Sequence, residues 1–167
     1  MRCRRVAFLR AVNVGGTGKL PMAALKRAAI ACDLTDVETY LATGNLLFQS
    51  DLKSDDVKSR LAQELEQVMG DSPALFIRTH ADLTNLAAAN PFSDLPGNKV
   101  MALLLDDPVE PGAIRHQTIE RVEPGPGALF IGYPEGMGRS RMIVEAQARG
   151  TARNLNTISK LVEKSAA

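Results

Sequence analysis

The sequence predicts an α+β fold of two ferredoxin-like (α/β plait) lobes packed together, residues 1–80 and 81–167, the second atypical and closed by C-terminal helices. Three observations carry this. Strand and helix periodicities follow one another as β-α-β-β-α-β over residues 4–79, the split-βαβ pattern, which gives an antiparallel sheet with both helices on one face. A similar run of signals begins again after His80. The first apolar run, Val6-Ala7-Phe8-Leu9, is hydrophobic on both alternations, so the sheet face without helices must also be covered, and the second half is the part of the chain left to cover it.

After that first strand and a glycine-rich loop, Met22, Leu25, Ala28, Ala29 and Cys32 fall on one helical face. Val37 to Leu41 and Leu46 to Gln49 are β-rich runs joined by Ala42-Thr43-Gly44-Asn45, which reads as a hairpin. Val57, Leu61, Leu65 and Val68 recur at helical spacing, and Gly70 supplies the left-handed residue that ends a helix. Leu75 to Ile77 completes the lobe as its fourth strand.

In the second half Ala81 to Ala89 reads as helix, ending near Asn90-Pro91. Val100 to Leu105 is apolar without alternation, a strand buried on both faces. A short helix is expected around Ile114. Thr118 to Val122 and Leu129 to Tyr133 read as strands flanking the turn Pro124-Gly125-Pro126-Gly127. From Arg139 the chain reads helical, broken near Gly150, with Thr151 as N-cap of a last helix whose stripe is Leu155, Ile158, Leu161 and Val162. On that helix Arg153, Asn156, Thr157 and Lys160 share the opposite, polar face, while Asn154 falls on the apolar side and requires a hydrogen-bond partner.

Composition narrows the function classes. Apolar residues at 45% and charged residues at 23% are ordinary globular values, and a net charge of +1 lacks the basic excess of a phosphate-backbone binder. Arg10 interrupts the N-terminal apolar run too early for a signal-peptide core, and no stretch approaches the ~18 apolar residues that span a bilayer. A cytoplasmic protein without membrane association is expected. Cys3 and Cys32 form neither a zinc pattern nor a disulfide framework and are expected in the core. His80 and His116 stand apart from any triad or metal cluster, and the carboxylates are scattered, so no metal site is expected and no catalytic residue is assigned.

The feature with most chemical content is Arg10 to Pro21, RAVNVGGTGKLP, a glycine turn between strand and helix flanked by two cations. A Walker loop needs a glycine five positions before its Gly-Lys pair and a hydroxyl residue after it; Asn13 and Leu20 stand there instead, so no nucleoside-triphosphate motif and no cofactor is indicated. With Leu20 as a poor N-cap before Pro21, the first helix has N–H donors open to an anion or to water. A solvent-wetted turn explains the same residues. Plait topology brings the end of the first strand (Arg10, Asn13), the hairpin tip (Thr43, Gly44, Asn45) and Asp71-Ser72 to one edge of the sheet. Farther along, Arg139 and Ser140 follow a glycine-bearing turn that reads as either a second anion nest or a helix start.

Four separated blocks, FLRAVNVGGTGKLPM, TYLATGNLLF, GMGRSRM and TARNLNTISKL, resemble the bacterial family catalogued as domain of unknown function 1697. Val12, Thr43 and Arg141 stand where that family more often has isoleucine, serine and lysine. The resemblance implies two packed α/β plaits and no reaction. Its signature segments contain Arg10, Asn13, Lys19, Asn45, Arg139, Arg153 and Asn154, which are expected to meet between the lobes. The leading expectation is an anionic small molecule, a nucleotide or phosphorylated metabolite, held in a basic cleft by Arg10, Asn13, Gly15, Gly16, Lys19, Thr43, Gly44, Asn45, Arg139, Ser140, Arg153 and Asn154. The alternatives are a plait-type RNA-binding module, disfavoured because GNLLFQS lacks interleaved aromatic and basic residues, and an interaction scaffold without a ligand. Oligomeric state is not legible.

Overall fold

The computed structural model describes residues 3–14 and 18–166. The chain forms two compact units, Met1–His80 with Lys164–Ala167, and Ala81–Glu163. The first contains β1 (Arg5–Leu9), α1 (Met22–Ala31), β2 (Thr35–Thr39), β3 (Asn45–Gln49), α2 (Ser54–Met69) and β4 (Leu75–Arg78). Its sheet has the order β2-β3-β1-β4, antiparallel throughout. Ala7, Leu9, Leu46, Phe48 and Leu75 face both helices, packing with Leu25 and Ala29 of α1 and Leu61 and Leu65 of α2. Val6, Phe8 and Leu47 alternate to the opposite face and are buried there too. Gly70 ends α2 in the left-handed conformation at φ 80, its N–H bonded to the Glu66 carbonyl. Asp36 (φ 48) sits where β2 slips register against β3, and the strand begins and ends two residues before the run read from the sequence.

The C-terminal residues are tied into this unit. Arg4, buried, donates to Glu38 Oε1 at 2.9 Å and to the Lys164 carbonyl at 2.8 Å, while Lys164 Nζ meets Glu38 Oε2 at 2.6 Å. Both cations hold the Glu38 carboxyl below the ordinary glutamate range. Cys32 lies in the core, whereas Cys3 is exposed ahead of β1, contrary to the sequence expectation.

The second unit contains α3 (His80–Ala88, its first residue belonging to the other unit), β5 (Val100–Leu104), β6 (Ile114–Arg115), β7 (Arg121–Gly125), β8 (Ala128–Gly132), β9 (Ile143–Val144), β10 (Thr151–Asn154) and α4 (Leu155–Ser165, whose last two residues are grouped with the first unit). Its sheet runs β10-β5-β8-β7, all antiparallel. Counting β5, β7, β8 and β10 as four strands in chain order, this is the fourth-first-third-second order of the first sheet. The atypical character lies in the connections. No α-helix fills either crossover among the described residues; β6 pairs with β9 instead, and Met142, Val144 and Ala146 pack on Leu103, Leu129 and Ile131 where a plait helix would lie.

Several local expectations are corrected here. Ile114 is in a strand, not a helix, because its backbone pairs with Val144. β7 continues through Pro124, since an edge strand tolerates a residue with no N–H to donate. The stretch after Arg139 is short 3-10 turns and strands, and Thr151 opens β10 without capping a helix. The N-terminal cap of α4 is Asn154, whose Oδ1 accepts the Thr157 N–H at 2.9 Å. Arg153 is thus on a strand and buried, not on a polar helix face.

Candidate functional site

At the end of β1 the chain turns through Ala11 (φ 56) and Asn13 (φ 55) into the glycine turn. Asparagine tolerates this left-handed backbone better than most residues, and its side chain then closes the turn. Asn13 Nδ2 donates to the Leu20 carbonyl at 2.8 Å and to the Ala42 carbonyl at 2.7 Å, while Oδ1 accepts the Leu20 N–H at 2.8 Å. Its own N–H reaches the Gly18 carbonyl at 2.9 Å. Gly18 has φ +61, and a Cβ there would lie 2.5 Å from the Ala11 carbonyl oxygen, so the turn closes only around glycine.

The hairpin tip is fastened to the same edge. Leu9 donates its N–H to the Gly44 carbonyl at 2.9 Å, and Arg10 donates to the Ala74 carbonyl at 3.0 Å. Asn45, wholly buried, donates Nδ2 to the Tyr40 carbonyl at 2.8 Å and to Thr43 Oγ1 at 3.4 Å. The structure therefore brings Arg10, Asn13, Thr43, Gly44 and Asn45 together as the plait topology requires, and Asp71-Ser72 joins them. Arg10, Ala11, Gly18, Met69 and the Asp71–Ala74 segment line one surface hollow of about 440 Å³. Arg10 is half-buried in it. Gly15 and Gly16 lie outside the described residues. Lys19 is exposed and makes no ion pair among the described residues.

The start of α1 differs from the sequence reading in one respect. Pro21, not Leu20, is its N-cap, no side chain caps it, and the Leu20 N–H is taken by Asn13. The open donors are the N–H groups of Met22 and Ala23, which have no partner among the described residues.

The remaining sequence-selected residues belong to the second unit and occupy two places in it. Arg139 and Ser140 line a small hollow of about 50 Å³ that includes neither Arg153 nor Asn154. An anion does sit beside Ser140, and it is the chain's own. The buried Glu120 carboxylate accepts the Thr118 N–H at 2.7 Å and the Ser140 hydroxyl at 2.9 Å, and these bonds, the Thr118 N–H first, hold its pKa low. Ser140 Oγ also accepts the Met142 N–H at 3.1 Å. Sequence reasoning missed Glu120, and nothing in its local spacing marks it. On β10, Arg153 Nη1 donates to Thr151 Oγ1 at 2.7 Å and to the Ala152 carbonyl at 2.9 Å; burial pulls the guanidinium down to about 10, so it remains charged at neutral pH.

Among the described residues no group of three or more His, Cys, Asp or Glu side chains is arranged to hold a metal, and no helix is long and apolar enough to cross a membrane. No curated protein matches the chain in sequence. The conserved bacterial protein SP0830 from Streptococcus pneumoniae has a similar structure, with a TM-score of 0.80 over 97% of this chain and 98% of that one, at 19% sequence identity. At that identity the likeness concerns the fold, which it shares from end to end. The model of the protein family of unknown function DUF1697 matches residues 3–128, spanning the glycine turn and the hairpin but ending before GMGRSRM and TARNLNTISKL. By this match and by its α/β plait fold, the chain belongs to the DUF1697 family.

Proposed function

We propose that the chain binds a small anionic molecule, a phosphorylated metabolite or nucleotide, at the loop edge of its first unit, with Arg10 as the principal cation. The observation that carries this reading is the hollow of about 440 Å³ in which Arg10, Gly18 of the glycine turn and Ser72 converge, a volume within the range of small-molecule sites. Asp71 lines the same hollow with Oδ1 on the Ser72 N–H, so the anion belongs on the Arg10 side, next to the turn that carries Lys19. Inorganic phosphate and nucleotides titrated into the parent and into an Arg10→Ala, Lys19→Ala double variant provide the test. Loss of two charge-assisted contacts weakens binding by roughly tenfold or more. Equal affinity in the two proteins, or no binding to the parent, removes the proposal.

A second reading, a scaffold whose signature residues serve only architecture, draws support from the asparagines. Asn13, Asn45 and Asn154 all direct their amides at the chain's own backbone. The RNA-binding alternative has no comparable support, because Phe8 and Phe48 are fully buried and offer no face on which a base can stack.

A further inference from the structure

The hollow at the loop edge of the first unit has two chemically unlike sides. Arg10 stands on one, and its backbone N–H on the Ala74 carbonyl at 3.0 Å fastens the end of β1 to the segment that leads into β4. The other side, Asp71 and Ser72, can accept hydrogen bonds from a ligand but has no side-chain hydrogen to give one. Asp71 Oδ1 takes the Ser72 N–H at 2.9 Å, while Oδ2 has no partner among the described residues. Ser72 Oγ donates its hydrogen to the Pro73 carbonyl at 3.1 Å and keeps only lone pairs. Met69, the last residue of α2, lines the hollow as well, and the carbonyl end of a helix carries partial negative charge. A ligand that fills both sides therefore carries an anion at one end and hydrogen-bond donors at the other.

We propose that this hollow takes the phosphate monoester of a sugar, free or as the ribose of a nucleoside 5′-monophosphate, with its phosphate on Arg10 and vicinal hydroxyls on Asp71 Oδ2 and Ser72 Oγ. The assignment rests on the anion-binding reading of the same hollow. Met69 and Pro73, both half-buried, give the carbon face of the sugar ring an apolar wall. The volume of about 440 Å³ suits a ligand of that size. Di- and triphosphates fit poorly, since their extra charge falls against Asp71 and the end of α2. An ammonium group meets Asp71 less well than a diol does. The carboxylate is exposed, where an ion pair contributes little, whereas a diol supplies one hydrogen to each acceptor.

Titration calorimetry on the full chain tests the assignment with inorganic phosphate, ribose 5-phosphate, adenosine 5′-monophosphate, its 2′,3′-dideoxy analogue and O-phosphoethanolamine, in the parent and in Asp71→Asn. The amide keeps an oxygen for the Ser72 N–H but presents hydrogens where Oδ2 accepted. In the parent, ribose 5-phosphate should bind roughly fivefold to tenfold more tightly than inorganic phosphate, and the adenosine nucleotide should exceed its dideoxy analogue by a similar factor. Asp71→Asn should move the two ligand classes in opposite directions. Ribose 5-phosphate weakens by about fivefold, while inorganic phosphate binds more tightly because a negative charge has gone. A merely structural role for Asp71 would weaken both. Tighter binding of the nucleotide than of ribose 5-phosphate assigns the site to a nucleoside monophosphate, and the reverse assigns it to a free sugar phosphate. Should no phosphate compound bind the parent, the anion-binding reading falls together with this one. Phosphate binding without a preference for the hydroxylated ligands, tighter binding of O-phosphoethanolamine than of ribose 5-phosphate, or changes of the same sign in Asp71→Asn overturns the sugar assignment alone.

Discussion

Replacing Asn13 by alanine should lower stability by roughly 2–3 kcal/mol, although the residue is exposed. The magnitude follows from its bonds. Three side-chain hydrogen bonds of 2.7 to 2.8 Å are lost together. At a net ~0.5–1.5 kcal/mol each their sum is about 1.5–4.5 kcal/mol, and water reaching the vacated groups lowers it toward the smaller end. Alanine then remains at φ 55, where it is less at ease than asparagine, by up to ~1 kcal/mol. For a chain of this length such a loss shifts the thermal midpoint by roughly 4–12 °C. Two further variants separate the terms. Asn13→Gly gives up the bonds but relieves the backbone, and should fall between parent and alanine. Asn13→Asp keeps an acceptor for the Leu20 N–H but sets a carboxylate against the Leu20 and Ala42 carbonyls, and should be no better than alanine. Thermal and urea unfolding of the four proteins is the assay. An alanine variant within ~0.5 kcal/mol of the parent, or an aspartate variant as stable as the parent, refutes the view that this amide closes the turn. A loss of phosphate affinity at unchanged stability would assign Asn13 to the ligand instead.

Two other outcomes test the first unit. Because its folded pKa lies below the ordinary value, Glu38 contributes stability that is present above the unfolded value of 4.5 and is lost as pH falls through the depressed folded value. The gap in melting temperature between parent and Glu38→Gln should therefore be constant near neutrality and close in acid; a gap independent of pH down to about 2 contradicts the ion-pair account. Gly44→Ala should destabilise by about 2 kcal/mol or more, since the residue has φ +94 and the new Cβ would lie 2.7 Å from Val12 Cγ2, whereas Gly138→Ala meets nothing within 4 Å and should be nearly silent in the same unfolding assay.

Much of the first unit is legible because its signals are local. The short, continuous apolar run of β1, the helical stripe of α2 and the left-handed Gly70 each fix an element from neighbouring residues, and plait topology then fixes which loops share an edge. The second unit is harder for a physical reason. Thr151-Ala152-Arg153-Asn154 has little strand propensity of its own and becomes β10 because Ala102 and Leu103 of β5 offer it a partner. Pro124 looks like a turn residue until the sheet leaves β7 at its edge. The Glu120 site is illegible for a related reason. Its donors come from Thr118, two residues away, and Ser140, twenty residues away, and only the folded chain places them on one carboxylate.

The same distinction bears on which polar residues can bind anything. Amides suit loop ends because each side chain can donate to or accept from nearby backbone: Asn13 does both in its left-handed turn, Asn45 donates to the Tyr40 carbonyl, and Asn154 accepts the Thr157 N–H at a helix start. An amide whose hydrogens already point at carbonyls 2.7 to 2.8 Å away has little left to offer a ligand. Long cations are different, because their stems cross the surface and their charge is not used up by one contact. Lys19 and Arg139 are exposed, without ion pairs among the described residues, and follow glycine-bearing turns. Two residue classes can therefore share one signature segment for unlike reasons. The asparagines hold the loop backbones in place, while the cations beside them carry the charge that a ligand would meet, so substitutions in the first class should register in unfolding and those in the second in binding.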